Sequence, residues 1–419
     1  MGKKLLAAAL AISCLGIMGL LLSGCSGSSS TQKTEVQIGG LFSLTGNWQT
    51  LGKSGSAAVE IAVEDINAYT SSEGLPFHFS ANIQDTGLDP SVARQKTELL
   101  ADSGVRFVIG PQSSAEVQEV KSVADERGII VVSPSSTAGS LAIANDNVFR
   151  FCPSDDLEGQ AISALMAHDG ITAVVSVWRD DAGNEGLHIA TRAYFTSSGG
   201  VMSEGVKYGA DVQDFSPVVA SLSSQVTSAS EEYGPSSTAV YLAGFDEVSS
   251  LFSLASKDPV LASVAWYGSN GVALSDALLA DSGVAAFASS RGYPCPILGL
   301  QEKDRDIWQP LADRIKERSG VYPDAYALAA YDAAWVIART YISAGGGTDD
   351  LALLKQKLVE AAAAYSGATG NTALNAAGDR LSGNYDFWEI TSGPAGFLWQ
   401  RVGAYDSLTG AITFYYLPN

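Results

Sequence analysis

Residues able to hold a metal or attack a bond are scarce in this 419-residue chain: there are three histidines and four cysteines. His78, His168 and His188 are scattered, no Cys-x-x-Cys occurs, and no spacing of ligands for a metal appears. No Gly-x-Ser-x-Gly elbow marks a hydrolase. Positive charge is also short, with 25 Lys and Arg against 45 Asp and Glu and a formal net charge of -20, which argues against nucleic acid and anionic membranes as partners. After Leu22 no long apolar run follows, so the mature part has no segment that reads as a membrane span. A loop resembling a phosphate cradle, Gly46 to Ser54, fails on spacing: five residues separate Gly46 from Gly52 where a P-loop needs four. No metal and no cofactor are expected.

What is present begins with an export signal. Lys3 and Lys4 precede an apolar run from Leu5 to Leu22, and Leu22-Ser-Gly-Cys25 ends it with small residues before a cysteine. The length alone also allows a membrane helix; the ending resembles a lipobox. Residues 1–24 therefore read as a signal peptide, Cys25 as the lipidated N-terminus, and residues 25–35 as a flexible serine-rich tether.

The remaining chain alternates strands and helices in two stretches, which gives an α/β fold. Val36–Phe42, Pro76–Thr86, Val105–Ile109 and Gly128–Ser133 read as strands of a first parallel sheet. Helices are expected from about Gly55 to Asn67 and from Pro90 to Ser103. Ser113-x-x-Glu116 is a capping box that opens another helix, with Gly128 as its stop. A second rhythm gives strands at Thr172–Trp178, Val201–Tyr208, Thr238–Ala243, Ser263–Gly268 and Gly283–Ser289. Helices are expected from about Leu157, at Asn184–Ser198, and from Asp214 through Leu222. Three long helices, Asp304–Arg318, Asp324–Ser343 and about Asp350–Ala364, come before short C-terminal strands.

Two serine-rich loops carry the functional signal. Gly110-Pro-Gln-Ser-Ser114 and Ser133-Pro-Ser-Ser-Thr137 each follow a strand of one β-α-β unit. Such loops lie side by side at the carboxyl ends of parallel strands, where open sheets bind ligands. The amides at the start of the following helix favour an anionic group such as a carboxylate. Helix capping explains one serine of the first loop but not the matching second loop.

With these residues in place the chain resembles a type I periplasmic-type solute-binding protein of the branched-chain amino acid (Leu/Ile/Val) kind, the extracytoplasmic part of an ABC importer. The resemblance rests on the order of Gly39 to Gly52, Val108-Ile-Gly110, Ile130 to Thr137, Phe149-Arg150, Pro153-Ser-Asp155, Asp214-Phe215 and Gly367 to Asp379. It implies two doubly wound parallel-sheet lobes joined by three hinge crossovers. Lobe one is 36–151 plus 295–383 and lobe two is 154–292 plus 384–419, with crossovers near Phe151–Pro153, Tyr293–Pro296 and Gly383–Trp388. Cys152 and Cys295 then both fall in hinge segments and are a possible disulfide.

The resemblance also implies a site. The ligand carboxylate is met by Ser114 and by Ser136-Thr137, with Gln112 and Ser113 beside them. Phe245 packs on the ligand from lobe two, Trp48 walls the pocket, and Tyr293 lies at the hinge. Asn270 stands where an acid usually meets the ligand ammonium, and the usual aromatic is missing from Arg179-Asp-Asp181-Ala-Gly183. Asp181 or Asp246 compensates, or the ligand lacks an α-amino group. The implied partners are a small polar ligand and ABC permease subunits, with the protein a monomer tied to the outer face of the cytoplasmic membrane only through its lipid. A surface lipoprotein that senses ligand and docks on a receptor kinase or chemoreceptor is the alternative.

Overall fold

A computed structural model describes residues 33–346 and 349–415. The expected signal peptide, Cys25 and most of the tether lie outside the described residues.

The first lobe opens with β1 (Thr34–Phe42), α1 (Gln49–Ser72), β2 (Phe77–Asp85) and α2 (Pro90–Asp102). It continues through β3 (Phe107–Ile109), α3 (Ser114–Arg127), β4 (Ile130–Ser133) and β5 (Val148–Arg150). The five strands pair in the order β2-β1-β3-β4-β5, every neighbour parallel. Their residues read as near-continuous apolar runs because both faces of a parallel sheet are covered. Helix α1 begins earlier than the apolar periodicity suggested, since Leu51 and Ser54 are also buried. The capping box is present at α3: Ser113 Oγ accepts the Glu116 amide, the Glu116 carboxylate accepts the Ser113 amide, and Gly128 ends the helix left-handed at φ 65°.

The second lobe is built from α4 (Asp155–His168), β6 (Ala173–Arg179), α5 (Ala182–Ser197), β7 (Val201–Met202), β8 (Val206–Tyr208) and α6 (Ser216–Tyr233). β9 (Thr238–Ala243), α7 (Val248–Ala255), β10 (Ala265–Tyr267), α8 (Asp276–Ala280) and α9 (Ser282–Arg291) follow. Its sheet runs β10-β9-β6-β7, with β8 also on β6, all parallel. Three sequence expectations are corrected here. The strand expected at Gly283–Ser289 is helix α9: Asp281 caps it by accepting the Gly283 and Val284 amides, and its alanines favour helix over strand. The single strand expected over Val201–Tyr208 is broken into β7 and β8. Helix α6 runs well past Leu222.

The chain then returns through β11 (Cys295–Leu298) to α10 (Arg305–Ser319), α11 (Ala325–Ser343) and α12 (Leu351–Ala364), which cover the first sheet. The short β12 (Ser366–Gly367) and β13 (Gly370–Asn371) precede β14 (Tyr385–Gly393), β15 (Gly396–Tyr405) and β16 (Ile412–Phe414). β11-β14-β15-β16 form a separate antiparallel sheet. Cys295 and Leu298 pair with Trp388 and Tyr385, so two of the crossovers are adjacent strands. The third lies against them: a Cβ on Gly383 would stand 2.4 Å from Pro153 Cγ and 3.0 Å from Leu298 Cδ1. Only glycine lets the three segments pass so closely.

Both cysteines are buried and free, which corrects the disulfide reading. The Cys152 thiol is 3.3 Å from the Ser136 carbonyl and the Cys295 thiol 3.5 Å from the Tyr293 carbonyl, so each is satisfied locally. Among the described residues no helix is long and apolar enough to cross a membrane.

Candidate functional site

The loops after β3 and β4 are brought together as their sequence predicts, and much of their hydroxyl chemistry is turned on each other. Ser133 Oγ donates to the Pro111 carbonyl at 2.6 Å, and Ser135 Oγ to the Gln112 carbonyl at 2.9 Å. Ser114 Oγ accepts the Ala138 amide at 3.1 Å. Beneath them lies Arg150, 1% exposed, which donates Nη1 to the Ser136 and Ala138 carbonyls. Its Nε and Nη2 pair with the two Asp379 oxygens at 2.6 and 2.7 Å. A bidentate pair with its remaining donors satisfied is the geometry in which a buried charge is tolerated. Arg150 was read in sequence only as part of a motif; here it braces the second loop.

Not every polar atom of these loops is used. Ser136 Oγ and Gln112 Nε2 are buried without a hydrogen-bond partner in the protein. Gln112 Oε1 accepts the Ser43 amide, and Ser113 is fully used in its cap, donating to Glu116 at 2.6 Å.

The opposite wall comes from the second lobe, and the two touch. Trp48, left-handed at φ 62°, donates its amide to Asp246 Oδ2 at 2.9 Å, and its ring meets Phe245 at 4.6 Å between centroids. Asn47 Nδ2 donates to Glu247 Oε2, and Asn270 Nδ2 to the Tyr326 hydroxyl at 3.2 Å. At Gly183 a Cβ would lie 3.5 Å from Ser114 Oγ, so helix α5 starts directly against the first loop. Trp48 thus meets Phe245, Asn270 meets Tyr326, and the first serine loop meets α5. Tyr293 sits deeper, packed edge-on to Phe252 at 4.8 Å with its hydroxyl unpartnered.

The two acids considered as substitutes at the amine end are otherwise engaged. Asp181 caps α5 through the Gly183 and Asn184 amides and pairs with Arg179 at 2.9 Å. Asp246 accepts from the Trp48 amide and from Ser275 Oγ at 2.5 Å.

Sequence reading missed two other acids, Asp155 and Glu158, in the first turn of α4. Both are buried, at 2% and 0% exposure. Burial pushes Asp155 up to about 7, with the Thr137 hydroxyl and Arg150 giving partial relief; neither carboxylate oxygen reaches hydrogen-bond geometry. Burial and then the neighbouring Asp155 hold Glu158 well above the usual carboxylate range. Its Oε1 accepts the Asn270 amide at 2.9 Å and its Oε2 has no partner. Acids at the start of a helix ordinarily offset the helix dipole at the surface, which is why Asp155 counted only within the Pro153-Ser-Asp155 stretch of the resemblance and Glu158 not at all. An i, i+3 spacing that puts both acids on one face was the available clue.

A family model described as the receptor family ligand binding region matches residues 55–393. An uncharacterised protein of Methanocaldococcus jannaschii is 29% identical over 95% of this chain and 98% of its own length. A Leu/Ile/Val-binding protein homologue of Brucella melitensis is 23% identical over 88% of this chain and 94% of its own. Among solved structures, a branched-chain amino acid transporter substrate-binding protein of Streptococcus pneumoniae in complex with isoleucine aligns with a TM-score of 0.70 at 18% identity. That alignment covers 88% of this chain and 99% of that one. The family match runs through both lobes and all three crossovers, and the chain belongs to the receptor family ligand-binding region, with the fold and the solute-binding role of type I periplasmic binding proteins.

Proposed function

We propose that this protein is the extracytoplasmic solute-binding component of an ABC importer, trapping an amino acid or a related small carboxylate or amide between its lobes. The observation that carries the reading is the closed cleft. Loops at the carboxyl ends of both parallel sheets meet through Trp48–Asp246 and Trp48–Phe245, Asn270 reaches Tyr326 of α11, and Ser136, Gln112 and Glu158 keep buried polar atoms with no protein partner. Closing water out of a polar interior leaves such atoms for a solute to satisfy. In this reading Ser114, Ser136 and Thr137 receive the ligand's carboxylate or carbonyl, and a solute that bridges both walls shifts an open–closed equilibrium about the three crossovers. Export, the lipid on Cys25, the lobe boundaries given above and docking on permease subunits belong to the same proposal.

A thermal-shift screen with small-angle scattering tests it. A solute at 100 times its dissociation constant adds about 2.7 kcal/mol of stability, and the radius of gyration falls with it. Ser114→Ala combined with Thr137→Ala is expected to abolish the response; an unchanged response moves the site elsewhere.

A further inference from the structure

We propose that the buried carboxylate of Glu158, with Asp155 beside it, receives a positively charged amine of the ligand, so that the acid recognising the cation comes from helix α4 and not from the loop at Asn270. The inference rests on the solute-trap reading and names the chemistry of the ligand's far end.

Four observations lead there. The loop that should supply an acid carries Asn270, but its backbone amide is fastened to Glu158 Oε1, which sets the Glu158 carboxylate directly under that loop. Glu158 Oε2 is buried and unpartnered, as are both Asp155 oxygens. The room for Asp155 is made by Gly186, where a Cβ would stand 2.2 Å from its Oδ2. Tyr241 and Tyr385 are fully buried as well, and their hydroxyls also lack a hydrogen-bond partner.

Two adjacent desolvated acids repel, and isolated burial of either is unfavourable. A cation between them reverses both effects, and a charge-assisted hydrogen bond to an ammonium is about twice as strong as a neutral one. Arg150, which gives Asp155 partial electrostatic relief, is already held in a bidentate pair with Asp379. Among the described residues no three His, Cys, Asp or Glu gather to hold a metal ion. Phenol and amide oxygens supply the further acceptors that an ammonium's three N–H donors need. The apolar part of the cleft is meanwhile filled by Trp48 against Phe245, which favours a compact, polar ligand over one with a large aliphatic side chain.

The probes are the twenty common amino acids and putrescine, each paired with its hydroxy analogue lacking the amine, measured by thermal shift and calorimetry on the purified protein. Amine-bearing members are expected to bind and their hydroxy partners to bind at least tenfold more weakly. Glu158→Gln keeps an acceptor for the Asn270 amide and removes the charge, so it folds; it is expected to weaken the best amine at least tenfold and leave the hydroxy analogue unchanged. Equal binding of the best amine to Glu158→Gln overturns the proposal. Responses only to hydroxy compounds overturn it too, while leaving the solute trap standing. Silence from every probe fells both readings.

Discussion

The two walls of the cleft treat their polar groups differently. On β3 and β4, Ser133, Ser135 and Ser114 bond to the facing loop, and Arg150 and Asp379 anchor the carbonyls beneath. Across the cleft, Asp155, Glu158, Tyr241 and Tyr385 are buried just as deeply and have oxygens with no partner. The first wall spends most of its polar groups on its own bonds and leaves Ser136 Oγ and Gln112 Nε2 over. The other stores unfavourable desolvation that a ligand of the right charge relieves. A binding protein that closes by a population shift benefits from both, since only the bound state satisfies the second wall.

This contrast can be broken most severely at Arg150. Arg150→Ala leaves Asp379 buried and unpaired and frees two loop carbonyls, and is expected to lower stability by about 3–5 kcal/mol. Chemical denaturation reads it, and a loss under 1 kcal/mol would mean the wall is not braced as described. Gly383→Ala strikes the hinge that joins the walls. Its Cβ meets Pro153 and Leu298, and the expected loss is about 1–3 kcal/mol, with weaker solute-induced contraction in scattering.

The opposite wall should respond with the opposite sign. Asp155→Asn removes a buried acid with unpaired oxygens and is expected to raise the stability of the ligand-free protein at pH 8 by about 1–2 kcal/mol while weakening solute binding. If stability falls instead, Asp155 is a structural acid and the contrast fails.

The pH profile sharpens the same point. Burial raises Asp155 and the α11 cap Asp324 to about 7, whereas both titrate near 4 in an unfolded chain. A raised folded value means a contribution fully present below about pH 4 and lost as pH climbs through 7. Each group therefore removes roughly 1.4 kcal/mol per pH unit across that window. Urea midpoints of the ligand-free protein are expected to fall from pH 5 to pH 7.5, and Asp324→Asn, which keeps a good cap, to flatten the slope. The smallest expected effect is none. Dithiothreitol should leave the melting temperature unchanged, because Cys152 and Cys295 are not joined.

Wherever local chemistry decides, the chain was readable from its residues. Apolar runs such as Phe107–Ile109 and Ile130–Ser133, the Ser113–Glu116 capping box and the Gly128 stop fix the β-α-β unit and the place of its two loops without help from distant contacts. Gly283–Ser289 was misread because a short apolar stretch fits a strand or a helix alike, and the Asp281 cap that decides between them lies outside it. Asp155 and Glu158 were illegible for a different reason. Their sequence setting is that of ordinary surface acids at a helix start, and only the packing of α4 beneath the Asn270 loop takes them out of water. The sequence by itself determined the alternation of strands and helices and the place of the two serine-rich loops, since periodicity and capping act over a few residues. Tertiary structure alone decided which hydroxyls are braced, that Cys152 and Cys295 are not joined, and which acids are buried, because desolvation depends on neighbours that the chain brings together from far away.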